Sequence, residues 1–246
     1  MSNNNIIKAS DWKELISIVK KHKDSLPAGH EIWYRGQNDS NFSLLPGLFR
    51  KNSSKIINEK EIFNTYKKLS QRLSFSQDNE WNLLIDMQHY FIPTRLLDWS
   101  ENLGVSLFFS VANHQKDNDI ALFLLDPLEL NAYSKKNGIP IVPDENMGLS
   151  YVENYINKNP FAPEFPIAIK SLYTNNRILA QRGMFTIHGD NLNDIEKLCP
   201  NAVTKIIISN NAIPEIMEFL DLANINEITV YPDFNGIADY IRRMYY

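Results

Sequence analysis

Residues 80–113 constrain the fold of this chain more than any other stretch, because polar side chains interrupt a regular apolar pattern there. Trp81, Ile85 and Gln88 are spaced to share one face of an α-helix. Pro93 is expected to end this helix, since the residue before a proline avoids the helical region. The helix therefore carries an amide side chain on the continuation of its buried face, which core packing alone rarely selects.

Residues 94–100 (TRLLDWS) are predicted to form a short β-strand between two helices. Alternation places Asp98 and Ser100 on one face of the strand, and Arg95 and Trp99 on the other. Ser100 is the predicted N-cap of the next helix. A helix N-terminus favours negative charge, so this position predicts a polar spot that tolerates an anion.

A second polar group ends a predicted strand near residue 35, in the run WYRGQ. Gly36 would let the chain turn or let another group approach its backbone closely. Arg35 would project from the strand end, where a guanidinium can recognise phosphate or carboxylate. Pairing with a core carboxylate such as Asp98 explains this arginine equally well.

A third polar group lies in the run RILAQRGMFTIHG, where Arg177 and Gln181 precede a further predicted strand. Gly183 is expected to form a bulge or turn at the start of that strand. His188, at the strand end, is interpreted as a structural histidine.

The periodicity elsewhere predicts an α+β fold with a mixed, mostly antiparallel sheet and helices inserted between the early strands. All 246 residues are predicted to form a single domain, with a motif-bearing core over about residues 30–243. Further helices are predicted at 9–23, 59–76, 213–222 and the C-terminus, and further strands at 119–126, 166–173, 201–208 and 228–231.

Composition excludes several classes of protein. The formal net charge of −4 lacks the excess of basic residues that non-specific nucleic-acid binding requires. A single cysteine, Cys199, excludes a disulfide framework and a cysteine-rich zinc site, and no metal is expected. The polar start of the chain and the lack of a membrane-length apolar run predict a cytoplasmic protein without membrane contact.

Common catalytic signatures are missing: the sequence has no Walker-type phosphate loop, no GxSxG and no dinucleotide-type GxGxxG. The three polar groups instead combine arginines, amides, one acid and aromatic rings. Such a set suits a planar, anionic ligand such as a nucleotide, because guanidinium groups bind phosphate and aromatic rings stack on bases.

Four runs together resemble the FRG domain family, named after a Phe-Arg-Gly signature. They are WYRGQ, EWNLLIDMQHYFIPTRLLDWSENLGVSLFFSVAN, RILAQRGMFTIHG and VYPDFNGIADYI. Tyr34 stands where the signature has phenylalanine. The resemblance implies a bacterial or phage protein of the kind found near mobile or defence-related genes, and it brings no settled activity.

The order of elements also resembles that of ADP-ribosyltransferases. This second resemblance implies a split sheet, NAD as ligand, Arg35 at the phosphate or ribose of NAD, and Ser100 orienting the first-strand group. Arg177 occupies the position of the catalytic glutamate, so Gln181, Asp98 or Glu80 would have to replace that residue, or the nucleotide is bound without transfer.

Two sets of candidate site residues follow. The candidate catalytic residues are Arg35, Asp98 and Gln181. The candidate ligand-binding residues are Tyr34, Gly36, Gln37, Gln88, His89, Thr94, Arg95, Trp99, Ser100 and Arg177.

Three interpretations remain open on the sequence. The chain is an NAD-using transferase, hydrolase or toxin that acts on a macromolecular acceptor where it transfers, or a non-catalytic module that binds a nucleotide, a nucleic-acid end or a protein. In the third interpretation the polar motifs form a buried network that only holds the fold together. The first two require Arg35, Asp98 and Gln181 to meet in one cavity.

Overall fold

The computed structural model describes residues 5–50, 58–71, 79–114, 118–139, 141–142, 149–171 and 175–246. Eight β-strands in this part of the chain are β1 (Ile6–Ala9), β2 (Trp33–Gln37), β3 (Leu96–Ser100), β4 (Ile120–Leu125), β5 (Ile141–Val142), β6 (Ile167–Ser171), β7 (Gly183–Ile187) and β8 (Val203–Ile208).

Eleven α-helices lie in the same described ranges. They are α1 (Trp12–Ser25), α2 (Gly47–Arg50), α3 (Glu59–Ser70), α4 (Glu80–His89), α5 (Leu103–Val111), α6 (Pro127–Tyr133), α7 (Asn176–Gln181), α8 (Ile195–Leu198), α9 (Ile213–Leu222), α10 (Glu227–Val230) and α11 (Phe234–Tyr245). A π-helix spans Val152–Ile156 and a 3₁₀-helix spans Asn210–Ala212.

The strands form one open, mixed sheet in the order β1-β8-β4-β2-β3-β7-β6-β5. The two outermost pairs, β1 with β8 and β5 with β6, are parallel, and the pairs between them are antiparallel. The predicted α+β fold with a mostly antiparallel sheet is therefore confirmed.

The sheet opens between β2 and β3. These strands share a single registered pair, Tyr34 with Ser100. By contrast, β2 is in register with β4 from Trp33 to Gln37, and β3 is in register with β7 along its whole length. Two half-sheets therefore diverge from one point of contact, and a gap lies between them.

Helices cover both half-sheets. On one face, α1, α5 and α9 pack against apolar residues of β2, β4 and β8. The α3–α4 pair and the π-helix cover β6 and β7 in a second apolar cluster. A third cluster on the opposite face includes α6 and α8 and takes in Leu97 and Trp99 of β3. The alternation predicted for β3 is thus observed.

Two predicted elements are corrected at the ends of the chain. The N-terminal helix begins at Trp12 instead of residue 9, because residues 6–9 pair with β8 as a strand, and Asp11 caps the helix. Residues 228–231, predicted as a strand, belong largely to α10, whose Asn226 forms a capping box with Thr229.

The helix predicted at 59–76 ends at Ser70 in the structure, and residues 72–78 lie outside the described ranges. The sequence also predicts a polar, lysine-rich loop at residues 51–58, of which all but Asn58 lie outside the described ranges. None of the described helices combines the length and the apolar character that crossing a membrane requires.

Candidate functional site

A cavity of about 630 Å³ lies where the sheet opens, a size within the usual range for small-molecule sites. It is called the sheet cleft below. Twelve of the thirteen residues that the sequence singled out contribute to its lining: Tyr34, Arg35, Gly36, Gln37, Gln88, His89, Thr94, Asp98, Trp99, Ser100, Arg177 and Gln181.

Arg35 reaches from β2 across the gap to β3. Its Nη1 donates a hydrogen bond of 2.5 Å to the backbone oxygen of Asp98 and lies 3.9 Å from Asp98 Oδ2. Its Nε is buried and has no hydrogen-bond partner among the residues that the structure describes. Burial lowers the pKa of Arg35 to about 10, with Asp98 opposing this shift and Arg50 adding to it. The guanidinium thus remains charged at neutral pH with little water around it.

Asp98 presents its carboxylate to the sheet cleft. Its side chain is 54% exposed, and Oδ2 accepts a hydrogen bond of 2.9 Å from Gln88 Nε2. The other end of that amide, Gln88 Oε1, accepts a hydrogen bond of 2.5 Å from Thr94 Oγ1. The short Thr94–Gln88–Asp98 chain therefore fixes the orientation of the amide and holds the carboxylate in place while leaving it accessible.

Ser100 connects β3 to the end of α7. Its Oγ donates to the backbone oxygen of Gln181 at 2.6 Å and accepts from the backbone N–H of Asn102 at 2.9 Å. The predicted N-cap role of Ser100 is corrected, because Asn102 caps α5 with its own side chain. Gln181 lies at the cavity wall, and its Nε2 donates to the backbone oxygen of Val230 at 3.1 Å.

Arg177 is held between two aromatic rings. Its Cζ lies 5.2 Å from the ring centre of Phe91 and 4.6 Å from that of Tyr231, and its Nη1 donates to the backbone oxygen of His89 at 3.3 Å. Burial and then Arg177 lower the pKa of His89, against an opposing effect of Asp233. His89 is therefore mainly neutral at pH 7 and adds little charge to the cleft.

Gly36 serves helix packing. A Cβ atom added to it would lie 1.8 Å from the backbone oxygen of Ser106 and 2.8 Å from the backbone nitrogen of Ser110. The close approach predicted at this glycine is therefore made by α5. The neighbouring Gln37 is buried, and its Nε2 lies 3.5 Å from the backbone oxygen of Ser43.

Arg95 lies outside the sheet cleft, contrary to the prediction. It forms a bidentate ion pair with Glu59 and donates hydrogen bonds to the backbone oxygens of His188 and Gly189. The side chain is 5% exposed. Arg95 faces away because alternation along β3 puts it opposite Asp98. Arg95 therefore belongs to a buried structural network, which is the role that the third interpretation of the sequence gives to the polar motifs.

Trp99 and Glu80 are also engaged elsewhere. The indole of Trp99 is buried on the opposite face and its Nε1 donates to Thr186 Oγ1 at 3.0 Å, so this ring offers no stacking face. The carboxylate of Glu80 accepts hydrogen bonds from the backbone N–H groups of Tyr151 and Val152. Glu80 is therefore engaged with the π-helix and is absent from the cleft lining.

Arg50, at the end of α2, is a cleft residue that the sequence reasoning missed. Its Nε donates to the backbone oxygen of Leu45 at 2.6 Å. Burial lowers the pKa of Arg50, and Asp98 opposes this. The apolar pattern around LLPGLFR gave no sign that this arginine turns inward.

Among the described residues, the charged ones that line the cleft are three arginines (Arg35, Arg50 and Arg177) and one aspartate (Asp98). Their formal charges sum to +3 − 1 = +2, whereas the whole chain carries −4. A positive cavity in an acidic protein favours an anionic ligand, because low-dielectric walls concentrate the field of the arginines.

Comparison with known proteins gives one match. The sequence model of the FRG domain matches residues 30–119, which include β2, α4, β3 and α5. No curated protein and no solved structure matches the chain. The runs at 177–189 and 230–241 lie beyond the matched segment, although Arg177, Gln181 and Tyr231 complete the wall of the same cleft. The chain therefore carries an FRG domain.

Proposed function

We propose that the sheet cleft binds a nucleotide with a diphosphate group, of the NAD type, and that the protein is an ADP-ribosyltransferase-like enzyme. The observation that carries this proposal is the arrangement of three arginines around one accessible carboxylate in a single cavity. Guanidinium groups bind phosphate oxygens in two-pronged geometry, and a diphosphate can engage more than one of them.

The residues present fit the phosphate part of such a ligand. Arg35 offers a buried Nε without a hydrogen-bond partner, and Arg50 lies close enough to lower its pKa. A bound phosphate would pair with both guanidinium groups and relieve their mutual repulsion. The cavity volume of about 630 Å³ is also sufficient for a nucleotide.

Asp98 is the candidate for chemistry at the ribose. In glycosyl transfer from NAD, the bond between the nicotinamide nitrogen and C1′ of the ribose breaks, and the electron pair leaves with nicotinamide. Positive charge develops on the ribose, which a nearby carboxylate stabilises. An acceptor oxygen or nitrogen then bonds to C1′ and loses its proton. Asp98 would act here in place of the glutamate whose position Arg177 occupies.

Titration calorimetry and a nicotinamide-release assay together test this proposal. Wild-type protein is expected to bind ADP-ribose and to release nicotinamide from NAD. Asp98→Asn is expected to keep binding and lose release, because the amide retains the shape of the side chain without its charge. Arg50→Ala is expected to weaken binding. No heat of binding with ADP-ribose, ADP or NAD would refute the proposal.

A non-catalytic nucleotide-binding module is the second candidate. It is favoured by the engagement of Asp98, whose Oδ2 already accepts from Gln88 and lies 3.9 Å from Arg35. In that case the wild type binds ADP-ribose and releases no nicotinamide, and Asp98→Asn leaves the affinity nearly unchanged.

A role as a toxin in bacterial or phage defence is part of the same proposal. Expression of the wild type is then expected to slow growth of a bacterial host, and Asp98→Asn to restore growth at an equal level of soluble protein. Growth that is unaffected by the wild type would argue against a toxin while leaving the nucleotide site to the binding assays.

A further inference from the structure

Phe91 holds an unusual position for an aromatic residue. It follows α4 with a φ angle of 59°, in the left-handed region, and 79% of the residue is exposed. Glycine is the usual residue at this position after a helix, because a Cβ atom there is strained. Among the non-glycine residues with positive φ in the described ranges, Phe91 is the one aromatic side chain.

The backbone around Phe91 is fixed by hydrogen bonds. The N–H of Phe91 donates to the oxygen of Gln88 at 3.1 Å, and the N–H of Ile92 donates to the oxygen of Met87 at 3.0 Å. These two bonds form the helix-ending motif that requires the left-handed residue. The backbone therefore fixes the direction of the Cα–Cβ bond from which the ring projects, even though 79% of the residue is exposed.

This direction takes the ring to the entrance of the sheet cleft. Phe91 lines the sheet cleft and also an adjoining cavity of about 1000 Å³, and Arg177 and Tyr231 separate the two with it. The guanidinium of Arg177 covers one face of the Phe91 ring. The remainder of the ring is open to the solvent in which a ligand would arrive.

We infer that Phe91 is the stacking residue for the base of the nucleotide, an assignment that rests on the proposed function of the cleft. Backbone strain at an exposed aromatic residue points to a use for the ring, and the contact with Arg177 covers only one of its two faces. Base-on-aromatic stacking tolerates any planar base, so the shared chemistry is an aromatic base attached to a phosphate. Trp99, the aromatic residue suggested by the sequence, is buried and cannot serve.

Titration calorimetry on wild type and Phe91→Ala, with four probes, tests this inference. The probes are ADP-ribose, ADP, nicotinamide mononucleotide and inorganic pyrophosphate. Phe91→Ala is expected to bind the probes that carry the stacked base about tenfold or more weakly, and pyrophosphate with nearly the same affinity. A loss shared by ADP-ribose and ADP assigns adenine to Phe91, and a loss confined to nicotinamide mononucleotide assigns nicotinamide.

Two further variants control for general effects. Phe161→Ala removes another highly exposed ring that lies outside the cleft lining, and it is expected to bind all four probes like the wild type. Phe91→Trp is expected to retain or strengthen binding of the base-containing probes. Because both phenylalanines are exposed, all three variants are expected to fold normally.

Two results overturn the inference in different ways. In the first, the wild type binds the base-containing probes, and Phe91→Ala either binds them equally well or loses affinity for pyrophosphate to the same extent. The stacking role is then refuted, whereas the proposed nucleotide site is retained. If the wild type binds none of the four probes, the proposed function falls and the stacking role falls with it.

Discussion

The Nη1 atom of Arg35 donates a hydrogen bond to the backbone oxygen of Asp98 and thereby bridges two strands that share one registered pair. Elsewhere in the sheet, backbone groups supply such cross-strand bonds. At the opening a side chain does so, and the same guanidinium faces the cleft.

Arg35→Ala is expected to destabilise the fold by about 1.5–3 kcal/mol, since a hydrogen bond from a charged donor is lost and the oxygen of Asp98 is left without this partner. Urea unfolding monitored by circular dichroism measures the change. Arg50→Ala is the matched control, because Arg50 is another arginine of the cleft and its described hydrogen bond runs to Leu45, five residues away in the chain, without bridging two strands. Equal losses in the two variants would contradict a bridging role for Arg35.

Gly36→Ala is expected to cost about 3 kcal/mol or more, because the new methyl group would overlap the backbone of α5 at Ser106. Gly47→Ala is the control, since a Cβ atom at Gly47 meets nothing closer than Pro93 Cα at 3.8 Å. Thermal unfolding of both variants distinguishes them. A Gly36→Ala variant as stable as Gly47→Ala would show that α5 can move away from β2 at little cost.

Arg95→Met is expected to lower stability by about 3–5 kcal/mol, because Glu59 keeps a mostly buried charge without its partner. Affinity for ADP-ribose is expected to stay at the wild-type value, since Arg95 lies outside the cleft. The double variant Arg95→Met with Glu59→Leu is expected to recover part of the loss. Weaker ligand binding at unchanged stability would place Arg95 in the binding site after all.

Stability is expected to fall with acidification between about pH 6.5 and pH 3 through His188. Burial lowers the pKa of this fully buried histidine to about 3, with Arg95 acting in the same direction and Asp194 opposing. The unfolded chain therefore binds a proton that the folded chain excludes, so stability is complete above the unfolded pKa and is lost below it.

The slope from this one group is at most about 1.4 kcal/mol per pH unit. Urea unfolding of wild type and His188→Gln at several pH values measures it. His188→Gln is expected to show a shallower decline over the same range, even if it is less stable at pH 7. Parallel curves for the two proteins would assign the acid sensitivity to other groups.

The sequence patterns named residues that the structure brings together around one cavity. Alternation in TRLLDWS placed Asp98 and Ser100 on one face, because period-two geometry is independent of the rest of the fold. The same alternation places Arg95 and Asp98 on opposite faces of the strand, so the prediction that both belong to one site is wrong for Arg95. Residue type alone suggested a ligand role for Arg95, and only the position of Glu59 in space explains its burial.

Other features depended on contacts that a local pattern does not contain. The run ITVY has β-branched residues typical of strands, but the Asn226 capping box holds it in a helical turn. Gly183 was expected to turn the chain, whereas Arg182 adopts the left-handed conformation and Gly183 begins β7. Strand β1 is short and depends on its pairing with β8, and no periodicity in four residues predicts it.

The single contact between β2 and β3 also has a mechanical consequence. Amide hydrogens near this seam have fewer cross-strand partners than those of β4 or β7, so they are expected to exchange with heavy water faster than the amide hydrogens of those two strands. A ligand bound in the sheet cleft would contact both half-sheets. Its binding is therefore expected to slow amide exchange on both sides of the seam and to stabilise the folded protein.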